Sequence, residues 1–140
     1  NKITASVMDV DTGTLASGTV TTTQVKDGTN VQITESNGAD PLRVRFTFTN
    51  VTSFSGFLFF GRYQGSASHE VHIEIYNNTL TAWETIWEVI SETANRWYTG
   101  VLFNSADYIS SGNVVLRFYH VSNGVNTHNL YVDYFALVGW

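Results

Sequence analysis

Eight consecutive residues, Leu42 to Thr49, alternate without a break: Leu42, Val44, Phe46 and Phe48 are apolar, while Arg43, Arg45, Thr47 and Thr49 are polar. A two-residue period is the side-chain period of a pleated strand with one buried and one wetted face. The period recurs where Val71, Ile73 and Ile75 alternate with His72, Glu74 and Tyr76, and where Trp83, Thr85, Trp87 and Val89 alternate with Glu84, Ile86, Glu88 and Ile90. Phe57–Tyr63 is a dense apolar run, short enough for a central strand, and Asn95–Phe103, Asn113–Val121 and Asn129–Val138 follow. Earlier, Asp27-Gly28-Thr29-Asn30 separates two β-rich runs, Thr19–Lys26 and Val31–Glu35, as a hairpin turn would. No window holds a helical period; Trp83–Glu92 comes nearest, and its Trp, Ile, Val and Thr favour strand. About nine strands at roughly 8–12-residue spacing predict an all-β protein, an antiparallel β-sandwich of jelly-roll type.

A chain of 140 residues makes one domain. Asn37-Gly38-Ala39-Asp40-Pro41 is a loop carrying the only proline. Thr12, Gly13, Thr14, Ala16, Ser17, Gly18, Thr19 and Thr21 to Thr23 are small or β-branched and no aromatic precedes Phe46, so residues 1–18 read as an N-terminal arm, with 19–140 as the jelly-roll domain. Ile3, Val7, Met8 and Val10 are too few to fold alone yet odd in a free linker. Such segments order against a partner. Trp140 likewise lacks obvious cover in a monomer. Together they predict a homo-oligomer, with the arm docked on a neighbour or on a larger particle.

Composition narrows the chemistry. With no cysteine there is no disulfide, thiolate metal site or thiol nucleophile. A formal net charge of −5 without any Lys or Arg cluster argues against nucleic acid and membrane surfaces as partners. No apolar run approaches a membrane span, and no basic-then-apolar leader opens the chain.

The chemical motifs are fragments. His69-Glu70-Val71-His72 has its histidines three apart on a strand, not four apart on a helix as a zincin requires. His72 and Glu74 share a strand face and could begin a metal site. Val10-Asp11-Thr12-Gly13-Thr14 resembles the aspartic-protease signature, but in a polar segment that could not force two carboxylates together. Asp9-Val10-Asp11-Thr12-Gly13 is also a broken calcium loop, so a structural calcium is the one cofactor entertained there. Asn50-Val51-Thr52 and Asn77-Asn78-Thr79 match the glycosylation sequon. No phosphate loop or nucleophile elbow occurs, and the chain is expected not to be an enzyme.

Two constellations stand out. If Arg45, His72, Glu74, Tyr76, Arg117, Tyr119, Tyr131 and Asp133 occupy the non-core faces of their strands, one surface gathers aromatics with arginines and acids. Three roles fit it: a wetted sheet face with paired charges, a subunit contact rich in Tyr and Arg, or a sugar platform whose rings stack on C–H faces. His69 and His128 each open a strand after a small-residue turn, and His120 stands across the second turn from His128. A hydrogen-bonded clasp between turns is the expected role of the three, with a ligand-reading rim as the alternative.

Tyr63-Gln64-Gly65-Ser66-Ala67-Ser68-His69, Ile75-Tyr76-Asn77 with Trp83, and Arg117-Phe118-Tyr119-His120 leading to His128-Asn129-Leu130-Tyr131-Val132-Asp133-Tyr134 resemble a module of tailed-bacteriophage structural proteins. That resemblance runs from Gly18 to Val138 and implies a galactose-binding-like jelly roll, a fold shared with carbohydrate-binding modules and virion decoration or tail accessory proteins. It implies fold-defining roles for His69, Trp83, Arg117, His120, His128 and Asp133. The function expected on these grounds is a non-catalytic virion component acting on other virion proteins, and analogy with virion projections implies a trimer before a dimer. The alternative is a secreted carbohydrate-binding module recognising glycans on its aromatic-rich face.

Overall fold

The computed structural model describes residues 1–120 and 123–139. Val121, Ser122 and Trp140, and with them the reading of Trp140 as an uncovered side chain, lie outside the described residues. The described chain forms eleven strands: β1 (Lys2–Thr4), β2 (Val7–Thr12), β3 (Thr14–Ser17), β4 (Val31–Thr34), β5 (Leu42–Phe48), β6 (Gly56–Gln64), β7 (Glu70–Asn77), β8 (Ala82–Ile90), β9 (Arg96–Val101), β10 (Val114–His120) and β11 (Asn129–Val138). Two antiparallel sheets face each other. One has the order β3-β4-β11-β6-β9 with β1 also paired to β11, and the other runs β2-β5-β10-β7-β8. This is the expected all-β sandwich of jelly-roll type. Among the described residues no helix is long and apolar enough to cross a membrane.

Alternation builds the core. The inward side chains of β5 and β10, Leu42, Val44, Phe46, Phe48, Val114, Leu116 and Phe118, have no exposed surface. Phe46 and Phe118 of the five-stranded sheet meet Phe59 and Phe135 of the six-stranded one at ring centroids of 4.9–5.2 Å, tilted or edge to face. Each such contact adds about 0.5–1.5 kcal/mol beyond area burial. The aromatics lock the two layers together.

Residues 1–18 are not an arm. β1 pairs with the end of β11, β2 with β5 and β3 with β4. Ala5 is fully buried, and Ile3, Met8 and Val10 pack against the core. Small residues suffice because β2 and β3 are edge strands, whose neighbours supply the bulk. Ile3, Met8 and Val10, three of the four apolar side chains thought to need a partner, are covered by this chain, while Val7 stays 43% exposed, and the premise of arm-mediated oligomerisation loses most of its support. Gly13, at φ +94°, turns the corner where the chain leaves one sheet for the other. The segment before Asp27 differs as well. Val20–Gln24 is a 3-10 turn rather than a hairpin strand. Its threonines bond locally, Thr23 Oγ1 donating to the Val20 carbonyl at 2.7 Å and the Thr19 amide to Thr22 Oγ1 at 3.1 Å, in competition with a sheet ladder.

Candidate functional site

The outer face of the five-stranded sheet is assembled by register. Arg117 lies opposite Arg45 on one side and Glu74 on the other, Arg45 opposite Asp9, and Glu74 opposite Thr85. One row of side chains therefore crosses all five strands. The next row holds Arg43, Tyr119, His72 and Glu88, and Tyr76 stands opposite Trp83 at the far end.

Arg117 is the hub. Its Nε donates to Glu74 Oε1 at 2.7 Å, with side chains only 14% and 9% exposed. Its guanidinium lies 4.2 Å from the Trp83 ring centre and 4.5 Å from that of Tyr119. Trp83 in turn meets Tyr76 edge to face at 5.3 Å. Thr85 Oγ1 gives Glu74 Oε2 a second donor at 3.0 Å. Arg45 grips Asp11 through two bonds of 2.6 and 2.9 Å, and Asp9 approaches to 3.7 Å. The Arg45 hydrogen bond holds the Asp11 carboxyl below the ordinary carboxylate value, although burial pushes the other way. Three aromatics and two arginines are thus fixed on a partly exposed surface by acids that point the guanidinium groups.

Six of the eight residues expected on one face lie there: Arg45, His72, Glu74, Tyr76, Arg117 and Tyr119. Tyr131 and Asp133 do not. Both belong to β11, in the other sheet, where Tyr131 carries the Arg62 guanidinium 4.0 Å above its ring. Asp133 sits at a register shift between Val132 and Tyr134, fully buried, and accepts the amides of Asp27 and Gly28 at 3.2 and 3.0 Å. Its partners make it an anchor of the 27–28 turn. A second shift, opposite Ile73/Glu74, separates Trp83 and Thr85 on the outer face from Trp87, which stands opposite the inward Ile73. The alternation read through β8 is broken there. The 3-10 turn packs on β11 while Lys26 lies over Phe60, so the six-stranded sheet is partly covered outside.

His69, His120 and His128 meet at one end of the sandwich around Glu35, a residue sequence reasoning missed. Its signal was present: Val31, Ile33 and Glu35 are successive inward positions, and the last carries a carboxylate. Glu35 Oε2 meets His120 Nδ1, and Oε1 accepts from the Tyr63 hydroxyl at 2.8 Å and lies 2.7 Å from His128 Nδ1. Burial raises the Glu35 carboxyl, but the His120 and Tyr63 hydrogen bonds and the imidazole charges outweigh it and leave it below the ordinary value. Burial, then the bond to Glu35, push the Tyr63 phenol up. The His69 ring centre lies 5.2 Å from those of both other imidazoles, tilted against His120 and edge to face with His128, and its Nδ1 is buried without a hydrogen-bond partner among the described residues.

Among the described residues two groups have metal-ligating spacing, Glu35 with His69 and His128, and Glu70 with His72 and Glu88. The calcium and protease readings of the Asp9–Gly13 stretch give way to a simpler one, because both carboxylates are turned onto Arg45. A groove of about 530 Å³ opens between the edge strands β8 and β9, lined by Trp87, Ile86 and Tyr98 with Glu88, Glu92 and Arg96. Trp87 is 46% exposed there, and the Tyr98 hydroxyl is buried without a partner.

No protein-family model matches the chain, and no curated protein matches it. Solved structures do. A mutant of a family 29 carbohydrate-binding module aligns over 99% of this chain and 91% of its own at TM-score 0.61 and 12% identity. The fold is that of family 29 carbohydrate-binding modules. Variants of such a module complexed with cellulohexaose (TM-score 0.56, 14% identity, 96% and 94% coverage) and with mannohexaose (0.52, 14%, 95% and 92%) also align. These neighbours overturn the virion reading: the jelly roll is shared with sugar-binding modules, and nothing supports a bacteriophage origin, virion partners or a homo-oligomer.

Proposed function

We propose that this protein binds carbohydrate on the outer face of its five-stranded sheet. The observation that carries the reading is the cluster of half-buried Trp83, Tyr76 and Tyr119 around a clamped Arg117 on that face. Sugars offer apolar C–H faces to aromatic rings and hydroxyls to charged groups whose direction is already set. Arg117 and Arg45 are held by Glu74 and Asp11 before any ligand arrives, so little side-chain entropy remains to be lost on binding. A flat platform of this kind takes a chain of sugars rather than a single ring.

The test is a glycan array followed by titration with cellulohexaose and mannohexaose. Tyr119→Ala or Trp83→Ala should weaken binding about tenfold or more, equivalent to about 1.4 kcal/mol. Tyr131→Ala, on the other sheet, should leave it unchanged. Failure to bind any glycan class, or loss on Tyr131→Ala alone, refutes the assignment. A second reading places the sugar in the β8–β9 groove, favoured by half-exposed Trp87 and the unpartnered Tyr98 hydroxyl. Loss of binding on Trp87→Ala with Trp83→Ala intact selects it.

A further inference from the structure

We infer that the end of the sandwich under the 65–68 turn is a structural site for one divalent transition-metal ion, Zn²⁺ by its ligand chemistry, held by Glu35, His69 and His128. The three come from separate segments, after β4, before β7 and before β11, yet their ligand atoms all lie within 4.8 Å of one another. One carboxylate oxygen and two imidazole nitrogens suit Zn²⁺ rather than Ca²⁺ or Mg²⁺, which take oxygen ligands.

Hydrogen bonding accounts for part of this cluster but not all of it. His128 and His120 both reach Glu35. Among the described residues His69 Nδ1 has no hydrogen-bond partner, although it is buried among these rings. Buried polar atoms in folded proteins almost always have a partner, and an orphan beside a carboxylate and a second imidazole is what a vacant ligand looks like. The surroundings fit as well. His120 on Oε2 and Tyr63 on Oε1 orient the Glu35 carboxylate, as outer partners orient metal ligands elsewhere.

The present Glu35–His128 separation of 2.7 Å is that of two atoms sharing a proton. Ligands about 2.0–2.1 Å from a tetrahedral ion stand roughly 3.3 Å apart, so the ion replaces that proton after a small opening of the pair. Entry is available, since Ser66, Ala67 and Ser68 are exposed and Ser66 Oγ lies 3.4 Å from His128 Nε2. Solvent entering past Ser66 completes the coordination. The ion ties three chain segments together, in a protein without disulfides. The site is separate from the sugar-facing surface, and neither assignment rests on the other.

The experiment is calorimetric titration of the EDTA-stripped full chain with ZnCl₂, paired with thermal melting. One ion per chain and a raised melting temperature are expected. His69→Phe preserves ring packing against His120 and His128 but removes the nitrogens. It should melt like the metal-free wild type and bind Zn²⁺ at least tenfold more weakly. If that variant folds poorly, His69→Gln gives the same comparison. His72→Gln, in the second group, Glu70–His72–Glu88, should bind Zn²⁺ as wild type does. Absence of saturable binding overturns the assignment, as does affinity unaltered by His69 substitution or lost with His72→Gln.

Discussion

Arg117→Ala should be the most damaging single change on the outer face. It deletes a charge-assisted hydrogen bond to Glu74, a bond class worth about 1.5–3 kcal/mol. Contacts with Trp83 and Tyr119 go too, at about 0.5–1 kcal/mol each for partly exposed cation–π pairs. Glu74, 7% exposed, keeps Thr85 as a donor but loses its counter-charge. Water can reach it from the open side, so the penalty stays below the range for breaking a fully buried pair. The total is about 3 kcal/mol, on the order of a hundredfold in the folding constant. Urea denaturation of wild type, Arg117→Ala, Glu74→Gln and the double variant measures it, and the cycle should return a coupling of about 1.5–2 kcal/mol. Arg117→Lys should recover less than half, because an ammonium cannot lie flat between two rings. If Arg117→Ala costs less than about 1 kcal/mol with no coupling, the hub is only a surface ion pair and the reasoning fails.

Asp133→Ala should cost about 2–3 kcal/mol and accelerate amide exchange at Asp27 and Gly28, while sugar binding persists; unchanged exchange would show that the carboxylate does not anchor that turn. Gly61→Ala should cost about 2–4 kcal/mol in thermal melts, because a Cβ there would overlap the Tyr131 carbonyl oxygen and the Phe59 ring, and a neutral result would mean that β6 and β11 can part freely. The lowered Asp11 carboxyl contributes stability that is present above its ordinary value of 3.8 and lost as pH falls through its folded value. Asp11→Asn should therefore cost up to about 1 kcal/mol at neutral pH, with the difference vanishing in strong acid; a gap that widens in acid would contradict the pairing.

Sequence periodicity identified β5 and β7 because each carries its own in–out pattern, as Leu42–Phe48 does without exception, while β6 was legible as a short, dense apolar run. It could not say which strands share a sheet. Tyr119 and Tyr131 stand on equally clean outward positions, yet pairing across distant segments puts them on opposite faces. Nor could it place the extra residues at Asp133 and within β8, where one insertion sends the following side chains to the other side. The edge strands β1 to β3 escaped notice for a different reason. Thr, Ser and Gly satisfy an edge that packs on one neighbour, and such composition looks like a tail. Glu35 was legible in the alternation of β4 and was overlooked because a carboxylate is not expected in a core.

The position of β11 has a consequence for how the protein is made. It occupies the middle of its sheet, paired with β4 and β6 and, at its far end, with β1, although it is the last strand in the sequence. During synthesis the six-stranded layer has a gap at its centre until residue 138 clears the ribosome, and β1 waits for a partner through almost the whole chain. Phe59 and its neighbours on β6 meanwhile lack the strand that seals them. Folding dominated by such distant pairings runs on the millisecond-to-second scale, and its half-built intermediates carry open edges. Removing β11 would leave two sets of strands with no seam between them.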